Sequence, residues 1–147
     1  MNWPLVGEYV KNVWAIAGPL VGVLIGAYIA NLNQRQQWIS DCKKEEYSRL
    51  LGLMTKSVSL FILAKSNTLP EKGFERERAL AESWSSVAED IHSKIFIVDK
   101  LEAHSVFDRW MQGFQMYRQG NEIEATSKAW GKLLDDIRKA AIDDLGG

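Results

Sequence analysis

From Asn12 to Gln34 the chain carries no charged side chain, and within that run residues 13–32, VWAIAGPLVGVLIGAYIANL, are dominated by apolar types. A helix of that length rises about 1.5 Å per residue and so reaches roughly 30 Å, the hydrocarbon thickness of a bilayer. Helices buried in soluble domains seldom stay uncharged for so long. The stretch is therefore expected to be an uncleaved transmembrane anchor. A signal peptide fits less well: its start is not distinctly basic, its run exceeds the usual roughly 7–15 residues, and no small-x-small site follows. This divides the chain into an extracytoplasmic or interfacial stub over 1–12, a transmembrane helix over 13–32 and a domain over 33–147. At 115 residues that domain is large enough for its own core.

The flanks suggest an orientation. Lys11 alone precedes the stretch, whereas Arg35, Lys43, Lys44 and Arg49 follow it closely. Basic flanks stay in the cytoplasm, so a single pass through the cell inner membrane is expected, N-terminus out and C-terminal domain cytoplasmic. The same four cations read as a collar for lipid headgroups, which makes membrane lipid an expected partner. Residues 35–65 are about +3 and residues 71–147 about −4. The net charge of −1 gives no general case for nucleic-acid binding.

Past the stretch, Ile39, Cys42, Tyr47, Leu50, Leu51, Met54, Val58, Phe61 and Ile62 recur close to helical period with no proline among them. The anchor is expected to run on as one long helix, kinked modestly at Pro19. Thr68 with Glu71, Asp99 with Glu102, and Asn121 with Glu124 read as capping boxes opening three further helices. Their stripes are Leu80, Trp84, Val87, Ile91 and Ile95; Val106, Phe107, Trp110, Met111, Phe114 and Tyr117; and Trp130, Leu133, Leu134, Ile137, Ala141 and Leu145. The run Ile95-Phe96-Ile97-Val98 would suit a strand, but a lone strand has no partner, so it reads as the buried last turn of a helix. The expected fold is all-α, a single transmembrane helix continuing into an antiparallel four-helix bundle.

Three motifs carry a resemblance. They are Asn31-x-Asn33-x-x-x-Gln37-Trp38 with the Lys/Glu/Tyr/Arg/Leu-Leu run behind it, the Ile-Phe-Ile-Val-Asp joint at 95–99, and the terminal Arg138-Lys139 with Asp143 to Gly146. Together they resemble small single-pass bacterial membrane proteins with an N-terminal anchor and a cytoplasmic helical domain. The final run departs from that pattern, in which Arg-Lys stands closer to Asp-Leu-Gly. The resemblance implies topology and a bacterial origin, and no activity.

Chemistry is sparse. Glu89-x-x-His92 has the spacing of di-iron bundles, but His104 has Leu101 three residues before it, so the second half of such a site is missing and no metal is expected. No phosphate loop, Cys-x-x-Cys or nucleophile triad stands in a recognisable context. The lone Cys42 reads as a small, partly buried hydrophobe. No catalytic residue and no cofactor are expected. Gly18, Gly22, Gly26 and Ala30, four apart, put small side chains on one helix face, where backbones can approach closely. The chain is thus expected to be a non-enzymatic, membrane-anchored interaction or scaffold module, a homo-oligomer through that face, presenting its bundle to an unidentified protein partner. The alternative is an oligomerising membrane-active effector, such as a toxin or phage-exclusion factor, gated by the bundle.

Overall fold

The computed structural model describes residues 3–70, 72–103, 105–120 and 122–146, without the side chains of residues 3–20 and 103. The described residues are all-helical: α1 Trp3–Lys65, α2 Phe74–His92, α3 Val98–Ala103, α4 Val106–Arg118 and α5 Ile123–Leu145. Two units divide them, Met1–Ile39 and Ser40–Gly147, and α1 contributes to both.

In the first unit the described side chains stand open. Val23 is 68% exposed and Leu24 70%, and Val21, Ile25, Tyr28, Ile29 and Leu32 are also exposed. Among the described residues no helix is long and apolar enough to cross a membrane. The single-pass inner-membrane localisation expected from the sequence is thereby contradicted. Gly18, Pro19 and the interfacial stub lie outside the described side chains.

The second unit holds the core. The α1 stripe of Tyr47, Leu50, Met54, Val58 and Phe61 is buried, because apolar residues three and four apart share one face of a helix. Against it stand Leu80, Val87 and Ile91 of α2, Trp110 of α4, and Trp130, Leu133 and Ile137 of α5. At the centre the Trp130 ring lies 5.2 Å from Phe61 and 5.4 Å from Trp110, and Trp84 stacks on Phe114 at 5.0 Å. Gly113 makes this close approach possible: a Cβ there would collide with the Trp130 indole nitrogen. Arg109 of α4 and Asp136 of α5 join the same two helices by an ion pair of 2.9 Å.

Several expected helix boundaries move. Residues 93–97 are not the last turn of α2; that helix stops at His92, and Ile95 is 74% exposed while Ile97 is buried. The helix expected from Asp99 through Tyr117 is two helices, broken where Ser105 takes the left-handed conformation with φ 47° and ψ 46°. Asp99 lies inside the first turn of α3 instead of capping it. The Thr68 hydroxyl bonds back to the Leu63 carbonyl at 3.3 Å, and α2 begins only at Phe74, after Gly73 with φ 59°. Glu71 and Asn121, the partners in two expected boxes, lie outside the described residues.

Candidate functional site

Residues 40–50 of α1 place charged groups on both sides of a buried face. Lys43, Glu46 and Arg49 recur every three residues, and the neighbouring Tyr47 and Leu50 are buried in the core. Each of the three holds a different part of the second unit.

Lys43 donates to the Asp144 carboxylate at 2.8 Å, and the Tyr47 hydroxyl donates to its other oxygen at 3.5 Å. The last turn of α5 is thereby tied to α1. Burial, reinforced by the negative charge of Asp144 and by that hydrogen bond, pushes the Tyr47 hydroxyl up to about 12. Glu46 accepts from three successive backbone donors: the Ile95 N–H at 3.0 Å, the Phe96 N–H at 3.0 Å and the Ile97 N–H at 3.1 Å. Consecutive N–H groups turned to one side form a concave anion seat, and this one opens directly into α3. Hydrogen bonds to a charged acceptor contribute about 1.5–3 kcal/mol each before losses to exposure, so Glu46 is a principal anchor of the turn. Arg49 reaches Asp90 of α2 at 2.9 Å, and Lys94 reaches the other Asp90 oxygen at 2.7 Å. Asp90 and Lys94 are both buried, whereas the Arg49 side chain lies mostly in solvent across the mouth of the pair. A buried carboxylate is tolerable only with cations this close.

The arrangement joins three segments that lie far apart in sequence. The Lys/Glu/Tyr/Arg run, the joint at 95–97 and the terminal Asp144 meet through Glu46 and Lys43. Lys43, Arg49 and Lys94 are ion-paired with Asp144 and Asp90, whereas Glu46 is held by backbone N–H groups. Cys42 lies half-buried beside Glu46, Arg49 and Lys94 on a cleft of about 220 Å³.

The residues expected to form sites fare unequally. Three of the four collar cations have acidic partners within the chain: Lys43 with Asp144, Arg49 with Asp90, and Lys44 with Asp41 at 3.4 Å. Arg35 is exposed. Gly22 and Gly26 face open space, and Ala30 is exposed; Gly18 lies outside the described side chains. Glu89 and His92 are exposed, the His92 ring resting 4.6 Å from Phe107. His104 lies outside the described residues. Among the described residues no three His, Cys, Asp or Glu side chains gather closely enough for a metal ion.

Sequence reasoning passed over Glu46, Asp90, Lys94 and Asp144. A signal existed for the buried pair. Val87, Asp90 and Lys94 follow three-four spacing on the apolar stripe of α2, and a carboxylate and a lysine four apart on such a face are placed to pair. Comparisons with family models, curated proteins and solved structures gave no match to this chain.

Proposed function

We propose that this chain is a non-enzymatic helical interaction module that assembles with a second copy of itself through residues 21–32. The observation that carries this is the run of exposed apolar side chains around α1, Val21, Val23, Leu24, Ile25, Tyr28 and Ile29 among them. Contiguous apolar surface on this scale marks a face that is covered in use. A second copy suits it for two reasons. Between Val21 and Gln34 there is no charge to oppose its own image across a pair. Gly22, Gly26 and Ala30 lie four apart with open space above the glycines, a shallow track on which another helix can lie close. On the same reading, residues 40–147 are an antiparallel four-helix bundle of distal α1, α2, α4 and α5, with α3 a connecting turn. Short connections and one buried stripe per helix support that arrangement. The ion-paired junction at Lys43, Glu46 and Arg49 then serves to hold the bundle together.

The test compares Gly22→Ile with Leu24→Ile in the full chain by sedimentation velocity over a range of concentrations. Gly22→Ile places a branched side chain on the close-approach track and should remove self-association; Leu24→Ile keeps the apolar surface and should preserve it. Equal association of both variants and the parent would show that the glycines are incidental.

A further inference from the structure

The cleft at the junction of α2, α3 and α4 has no part in the proposed assembly, and its lining is unlike that of the other clefts. It is an open cleft of about 460 Å³. Sites for small organic molecules generally measure about 300–1,000 Å³, with mostly apolar walls and a few polar groups. Here Val98, Leu101 and Phe107 supply apolar wall, and His92 lies with its ring 4.6 Å from that of Phe107. The charged lining is Glu102 and Asp108, with no lysine or arginine among the lining residues. Both carboxylates are exposed at the edge, and neither has an ion-pair partner among the described residues. This sets them apart from Asp90, Asp136 and Asp144, each paired with a cation at 2.9 Å or less.

We propose that this cleft binds a small organic amine: a protonated ammonium on a compact apolar body, the ammonium at Glu102 and Asp108 and the body against Leu101 and Phe107. Charge selects the cation. Two carboxylates without an ion-pair partner among the described residues, beside apolar wall, favour a positive group and disfavour a carboxylate. A compact ammonium ligand matches the volume of about 460 Å³ that the cleft offers.

Three probes added to the ¹⁵N-labelled full chain test this: phenethylammonium, 3-phenylpropionate as its charge-reversed counterpart, and N-acetyl-lysine N-methylamide as a peptide mimic. Phenethylammonium should give saturable shifts at the Val98, Leu101 and Phe107 amides and bind at least tenfold more tightly than either of the others. Glu102→Gln with Asp108→Asn should weaken it at least tenfold. Both residues are exposed, and Asp108 adds only a first-turn charge to α4, so the unfolding midpoint should shift little, which separates lost binding from lost fold. Val98→Trp, at a half-open position on the wall, should abolish the shifts by filling the cleft. Phenylpropionate or the lysine mimic binding as tightly as the amine would overturn the proposal. So would an affinity indifferent to the loss of both carboxylates, or no saturable shift at these amides.

Discussion

Residues 21–38 and residues 47–64 belong to the same helix, α1, and the more apolar of the two segments is the one left open. Leu24 is 70% exposed, while Leu50 and Met54 are fully buried although the segment around them carries Arg49, Lys56 and several hydroxyls. Pattern accounts for the difference. Around Leu50 a stripe of Tyr47, Leu50, Met54, Val58 and Phe61 is buried with residues of α2, α4 and α5, while Leu63 on the other side stays exposed. Around Leu24 the apolar side chains from Val21 to Leu32 are all exposed, with no buried stripe among them. Apolarity without direction thus leaves a helix seeking a second surface, whereas a stripe is satisfied within the chain.

The largest expected effect in this comparison is at Trp110, fully buried against Trp130. Trp110→Ala should destabilise the chain by about 3–5 kcal/mol in urea unfolding, as aromatic truncations in cores do. Asp90→Ala comes next, at about 3–5 kcal/mol by the same measurement. It strands the buried Lys94 ammonium and leaves Arg49 without its anchor.

A smaller, pH-confined effect belongs to Tyr47. Its hydroxyl is held at about 12 in the folded chain, above the ordinary value of 10. Its contribution to stability is therefore intact below pH 10, falls as the unfolded chain ionises between about pH 10 and 12, and then levels off. Tyr47→Phe lacks this ionisation, so the stability gap between parent and variant at pH 8 should shrink over that window. The smallest effect is in the open segment. Leu24→Ala should change the unfolding free energy of the dilute chain by less than about 0.5 kcal/mol, since that side chain is largely exposed.

Much of this was legible beforehand. The uninterrupted helix from the apolar stretch to Lys65, the α4 stripe around Trp110 and the stop at Gly120, with φ 78°, follow from periodicity and glycine conformation. The turn at 93–97 was not legible, because what holds it is Glu46, about fifty residues away in sequence. Its run of Ile, Phe, Ile and Val looked like something to bury, yet only Ile97 is fully buried. Gly113 was equally silent: its purpose is to admit Trp130 from another helix, which local pattern cannot report. The basic run after the stretch read as a surface for lipid because its acidic partners Asp90 and Asp144 lie far along the chain.

Hydrogen exchange of the full chain at two well-separated protein concentrations tests most directly the claim that α1 finds cover in two different ways. Amides of residues 47–64, buried within the chain, should be protected to the same degree at both. Amides of residues 21–32 should exchange quickly when dilute and become protected as concentration rises, because their cover is a second copy. Protection of 21–32 that does not change with concentration would contradict the account.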